Sequence, residues 1–208
     1  MTIDFAVKAI EGIAHNSGPS RIVRHIARHS DRPPRVIEVG TAYGDHLPFY
    51  APLCELVVAI DPMYDWVPDL PPSERFDPSK VDERKVAAWN ANTAAFSDHV
   101  KLVIGSSYEV HEGFVNDGRP FDVVIVDGCH SSDVGVADDY LNFRAHMAID
   151  HFVVFDNMEV GACSRGVDIV LRRLVELGSP HTRYNIDFKT PWKCAVVWVR
   201  GHDERGVP

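Results

Sequence analysis

Five short runs constrain this chain most: "RVIEVG" (35–40), "LVVAID" (56–61), "VKLVIG" (100–105), "FDVVIVDG" (121–128) and "HFVVFDN" (151–157). Each is rich in Val and Ile or similar apolar residues, and each stops on Gly, Asp or Asn. Their apolarity is continuous rather than alternating, which suits strands covered on both faces, as in a parallel sheet. Helical patterns separate them at 82–96, 132–147 and, most clearly, 164–178. In the last, Val167, Val170, Leu171 and Leu174 recur at helical spacing, Ser164 is placed to cap and Gly178 to stop the helix. Two further strands, "TRYNIDF" and "CAVVWVR", flank the turn "KTPWK" as a closing hairpin. The series predicts an α/β fold: a doubly wound sheet of about seven strands, mostly parallel, with a C-terminal antiparallel hairpin.

At 208 residues the chain suits one domain with one substantial core. Residues 1–33 are expected to form an N-terminal helical cap, with helices near 5–15 and 20–30. The stretch 62–80 holds five prolines together with Tyr64, Trp66 and Phe76. It is too irregular for a core element and is expected to pass over one rim of the sheet. A net charge of −9 and the lack of a basic patch argue against nucleic acid as a partner. The one basic-rich segment, 21–35, carries Ile22, Val23 and Ile26 on one helical face, so its arginines are expected on a solvated face. No apolar run approaches the ~20 residues that span a bilayer, and Asp4 and Glu11 interrupt any signal-peptide pattern. A cytoplasmic protein without membrane contact is expected. Cys54, Cys129, Cys163 and Cys194 are scattered, without the paired spacing of a zinc site or a disulfide framework.

In open α/β sheets ligands bind beyond the carboxyl ends of the strands. Those ends carry this chain's polar residues. "EVGTAYG" (38–44) has Gly40 and Gly44 where the chain turns from strand to helix, bringing backbone N–H groups towards an anion. It breaks the G-x-G-x-x-G dinucleotide pattern, with Ala42 third and Asp45 sixth. A ligand bearing one carboxylate and one ammonium fits better, the ammonium near Glu38; a plain β–turn–α connection is the other reading. Asp61 can accept both hydroxyls of a ribose or simply start an Asp-Pro turn. Asp127, Asp156 and Asn157 offer two carboxylates and an amide carbonyl, hard oxygen ligands suited to Mg²⁺ or Mn²⁺ completed by water and substrate. His130 follows Asp127 by three residues, and an unperturbed imidazole titrates near ~6.5, close to the value wanted of a general base.

Taken in order, E-V-G-T-A-Y-G, an acid ending the second strand, "GSSYE", "VDGCH" and "FDN" resemble a class I S-adenosylmethionine-dependent methyltransferase. The closest likeness is to the small-molecule O-methyltransferases that use a divalent metal, of the catechol and macrocin types. It covers residues 35 to 199 and implies a Rossmann-like fold. It also implies roles. Gly40, Thr41, Tyr43 and Gly44 would line the methionine part of the cofactor, with Glu38 near its amino group. Asp61 would take the ribose hydroxyls, and Ser106 and Ser107 would lie beside the adenine. Asp127, Asp156 and Asn157 would hold Mg²⁺ (or Mn²⁺), Asp127 also bordering the cofactor, and His130 would act as base. The expected reaction is methyl transfer to a hydroxyl of a small molecule such as a sugar or phenol, in a monomer or homodimer. Three rivals differ in class: a metal-independent methyltransferase, a nicotinamide-dependent oxidoreductase, and a non-catalytic nucleoside-binding module.

Overall fold

The computed structural model describes residues 18–63, 81–114, 117–128, 132–187 and 193–201. Seven strands form: β1 (Arg35–Val39), β2 (Leu56–Asp61), β3 (Val100–Ile104), β4 (Phe121–Val126), β5 (Met147–Phe155), β6 (His181–Asp187) and β7 (Lys193–Val199). They make one sheet in the order β3-β2-β1-β4-β5-β7-β6. The first five run parallel, and β7 inserts antiparallel between β5 and β6. All five apolar runs are strands and the terminal hairpin is present, as the sequence predicts. β5 begins at Met147, four residues before the apolar run, because Met147 pairs with Phe121 across a register shift.

Helices cover both faces. α1 (Gly18–His29) and α2 (Glu83–Thr93) lie on one side, where Ile22, Val23, Ile26 and Trp89 join the core. α4 (Asp133–Leu141) and α5 (Gly161–Glu176) lie on the other, contributing Val136, Tyr140, Val167, Val170 and Leu174. The short α3 (Ser107–Val110) follows β3. Two expectations need correction. Arg35, the last arginine of the basic segment, is not solvated: it is buried, bonded to Glu55 and Asp117, and lies over the Phe121 ring. Ser164 does not cap α5, which starts three residues earlier after the turn closed by Val160 N–H on Asn157 C=O. The Ser164 amide is already bonded to Val160 C=O, inside the helix. Gly178 does end α5, in a left-handed conformation (φ 64°).

The first N-terminal helix and the Pro-rich segment from Tyr64 to Lys80 fall outside the described residues. Among the described residues no helix is long and apolar enough to cross a membrane. Cys54, Cys163 and Cys194 are buried and stand outside any disulfide.

Candidate active site

The ladder hydrogen bonds continue past the strand ends and so fix the rim. Gly40 N–H bonds Ile60 C=O, Asp127 N–H bonds Val39 C=O, Asp156 N–H bonds Val126 C=O, and Gly105 N–H bonds Asp61 C=O. Each residue that closes an apolar run is thereby held beside its neighbour, at one level across β2, β1, β4 and β5.

The turn after β1 alternates left-handed residues: Gly40 (φ 89°), Ala42 (φ 48°) and Gly44 (φ 69°). Gly40 admits no side chain, since a Cβ there would sit 2.2 Å from the Asp127 carbonyl oxygen. Ala42 occupies a conformation that costs a non-glycine residue about 1–2 kcal/mol. Its N–H is fastened to Asp61 Oδ2 at 2.9 Å, which offsets that strain. Asp61 Oδ1 accepts from Met63 N at 2.7 Å and from Lys85 Nζ at 3.1 Å. Asp61 is thus a buried anchor of the turn, with two donors on Oδ1 and one on Oδ2. Thr41 is buried and accepts from Trp89 Nε1, whereas Tyr43 is exposed with its carbonyl held by Asn92.

Beneath the turn lies Glu38, 2% exposed. Burial raises its pKa to about 8, and the charges of Asp127 and Asp61 add to the rise, while the Thr41 hydroxyl opposes it. Its Oε2 and the hydroxyl of Tyr50 are buried beside each other, and the Tyr50 hydroxyl also opposes the rise. Glu38 is therefore a neutral acid at neutral pH.

At the end of β3, Ser106 caps α3: its hydroxyl donates to Glu109 Oε2 at 2.9 Å and accepts from Glu109 N. The Ser107 hydroxyl donates to Oδ1 of Asp139, a buried carboxylate on α4. At the ends of β4 and β5, Asn157 Nδ2 donates to Asp127 Oδ1 at 3.2 Å. Asn157 is itself left-handed (φ 55°), a conformation asparagine tolerates. Asp156 is 5% exposed, and its Oδ1 accepts from the Cys194 thiol at 3.0 Å. Its pKa is pushed above the usual carboxylate range, by burial first and then by the neighbouring charge of Asp127.

The structure thus brings Asp127, Asp156 and Asn157 together, and it places Glu38, Gly40, Thr41, Gly44 and Asp61 around the adjoining turn. His130 lies outside the described residues. Among the described residues no group of three or more His, Cys, Asp or Glu side chains is placed to hold a metal ion. The predicted ligand set has two such residues, its third being an amide. Sequence reasoning missed Lys85, Trp89 and Asn92, which fasten the turn from α2. Their i, i+4, i+7 spacing on one helix face is the signal that could have found them. It also missed Asp139 and Cys194, each joined to the rim only by tertiary packing.

A family model described as a methyltransferase domain matches residues 37–158, more than half of the chain. No curated protein matches it in sequence. Among solved structures, the O-methyltransferase TomG from Streptomyces achromogenes, involved in tomaymycin synthesis and solved with SAM, superposes with a TM-score of 0.66 at 16% identity. That match covers 90% of this chain and 82% of TomG. The N-methyltransferase NodS from Bradyrhizobium japonicum, with S-adenosyl-L-homocysteine, gives 0.59 at 16% identity, over 89% of this chain and 86% of its own. An rRNA methylase from Streptococcus thermophilus gives 0.57 at 12%, over 90% and 99%. At such identities these likenesses are of fold, and the fold is shared across different acceptors. The chain belongs to the methyltransferase domain family and is an S-adenosylmethionine-dependent methyltransferase of the class I, Rossmann-like fold.

Proposed function

We propose that this enzyme methylates a hydroxyl oxygen of a small molecule, with a divalent cation, Mg²⁺ or Mn²⁺, held by Asp127, Asp156 and Asn157. The observation that carries this reading is the pairing of two carboxylates at adjacent strand ends, one of them buried and shifted by the other. A divalent cation relieves that repulsion, and hard oxygen donors suit Mg²⁺. The Asn157 amide now turns its nitrogen to Asp127; rotated by half a turn it presents an oxygen. The net charge of −9 supports a small acceptor over a nucleic acid.

When bound, S-adenosylmethionine supplies the sulfonium methyl group, and the cation supplies positive charge beside the acceptor oxygen. The chain's own residues bind and orient. In the 40–44 turn the Gly40, Ala42 and Gly44 N–H groups are already bonded within the protein, so those of Thr41 and Tyr43 would receive the cofactor carboxylate. Glu38 would lie near its ammonium, and Gly40, Thr41, Tyr43 and Gly44 would border its methionine part. Asp61 takes the ribose, Ser106 and Ser107 border the base. His130 takes the hydroxyl proton as the oxygen–methyl bond forms and the sulfur–methyl bond breaks, leaving a methyl ether and S-adenosylhomocysteine.

Calorimetry with Mn²⁺ and with S-adenosylhomocysteine tests the cation site. Wild type is expected to bind both, and Asp156→Ala to lose Mn²⁺ while keeping S-adenosylhomocysteine within a few-fold. Mn²⁺ binding unchanged in that variant would remove the metal assignment. His130→Ala is expected to lower turnover by about 10²–10⁴. Wild-type turnover across the pH range in that variant would remove His130 from the base role.

A further inference from the structure

The turn after β5 is held from a strand far away in the chain. β5 and β7 pair antiparallel up to Phe155 and Ala195, so the next residues, Asp156 and Cys194, stand opposite one another. Cys194 is 1% exposed and packs in the apolar cluster of Phe152, Val154, Ile186 and Val196. Alanine or valine would fill that place; the thiol adds a hydrogen bond. Its Sγ donates to Asp156 Oδ1 at 3.0 Å. Two further bonds flank it: Met158 N–H to Lys193 C=O at 2.9 Å, and Lys193 N–H to Glu159 Oε2 at 3.2 Å. The start of β7 therefore holds the 156–159 turn at three points, and the thiol is the one that touches a proposed cation ligand. Another donor to Asp156, the Asn157 backbone N–H, belongs to the turn itself.

We propose that Cys194 is a positioning residue whose thiol locks the rotation of the Asp156 carboxylate and so preorganises it to receive a divalent cation. This rests on the reading of Asp127, Asp156 and Asn157 as the ligands. A carboxylate turns about its Cβ–Cγ bond, and an ion that must stop the turning binds more weakly. A donor fixed in the packed core stops it beforehand. A thiol suits the task because it is neutral and supplies one hydrogen, leaving the carboxylate its charge and most of its lone pairs. An ammonium there, like Lys85 beside Asp61, would cancel the charge that attracts the cation. The sulfur itself is a soft ligand, mismatched to Mg²⁺ or Mn²⁺, and its hydrogen is already committed to Oδ1.

The test is titration calorimetry of the full chain with Mn²⁺ and, separately, with S-adenosylhomocysteine. Cys194→Ala and Cys194→Val fill the core without a donor, and both are expected to weaken Mn²⁺ by about 10- to 100-fold. Their affinity for S-adenosylhomocysteine is expected to stay at the wild-type level. Cys194→Ser restores one donor in the same place and is expected to bind Mn²⁺ nearly as wild type does. Packing alone predicts the opposite order, because a hydroxyl is the poorest of the three fillers for an apolar cluster. Wild-type Mn²⁺ affinity in both apolar variants, with Asp156→Ala still losing the ion, would overturn this proposal and leave the cation reading standing. A Cys194→Ser variant as weak as those two would do the same. Loss of both ligands in Cys194→Ala and Cys194→Val would assign the residue to packing and overturn the proposal too. A wild type that binds no Mn²⁺, or Mn²⁺ binding that survives Asp156→Ala, would overturn the cation reading with it.

Discussion

The two halves of the rim hold their carboxylates by different means. Around β1 and β2, Asp61 receives two backbone N–H groups and the Lys85 ammonium. Its charge is compensated within the protein, and the left-handed turn above it is fastened. At the ends of β4 and β5, Asp156 is held by neutral donors, the Cys194 thiol and the Asn157 backbone N–H, and it faces Asp127. The first half is organised by the chain's own charges; the second concentrates like charge in a buried place. Preorganised donors suit a ligand gripped the same way each time. Paired carboxylates under strain suit the binding of positive charge.

The largest effect is expected where the halves touch. Gly40→Ala would drive a Cβ to 2.2 Å from the Asp127 carbonyl oxygen, in a conformation (φ 89°) that side chains rarely adopt. Neither backbone can yield without breaking its ladder bond. A loss of about 3 kcal/mol or more in urea denaturation is expected, with loss of S-adenosylhomocysteine binding. A stable, binding-competent Gly40→Ala variant would mean that the halves are not in register. Next is Lys85→Met, which keeps the aliphatic stem and removes the ammonium. Asp61 would then depend on backbone donors alone, as a buried acid without a counter-charge. Roughly 1–3 kcal/mol of destabilisation is expected by the same measurement, since one partner of a nearly buried pair is lost. No loss would show that the turn's N–H groups suffice and that the contrast between the halves is not one of charge.

The strands were legible because burial on both faces demands unbroken Val and Ile runs, and such runs have few other uses in a chain of this size. The rim acids were legible because polar residues ending such runs have only the strand ends to occupy. Partners that arrive through packing were not. Lys85 reaches Asp61 from α2, 24 positions along the chain, and only its alignment with Trp89 and Asn92 on one helix face sets it apart from a solvated lysine. Cys194 meets Asp156 because β7 threads between β5 and β6, a strand order that a hairpin pattern does not specify. Asp139 looks like Asp138 beside it until the helix is docked and one is buried. Ser164 is of a capping residue type, yet the turn at Asn157 launches α5 without a side-chain cap.

The change that is mildest at acid pH separates the halves by pH. Glu38 lies under both, and the charges of Asp61 and Asp127 each help to keep it neutral. In the unfolded chain it titrates near 4.5, and in the folded protein near 8. Below about pH 4.5 both states hold the proton, and the neutral acid's full contribution to stability is present. As pH rises towards about 8 the unfolded chain releases the proton while the folded protein retains it, so this contribution is progressively lost. Glu38→Gln substitutes a group of similar shape that never ionises. At acid pH the variant is expected to lie within roughly 1.5 kcal/mol of wild type, the worth of one buried hydrogen bond. Towards pH 8 it is expected to gain on wild type, flattening the decline measured by urea denaturation. A wild-type-minus-variant difference that stays constant from about pH 4.5 to about pH 8 would mean that Glu38 is already ionised in the folded protein. A compensating cation would then have to lie beneath the turn, and the halves would share one electrostatic solution instead of two.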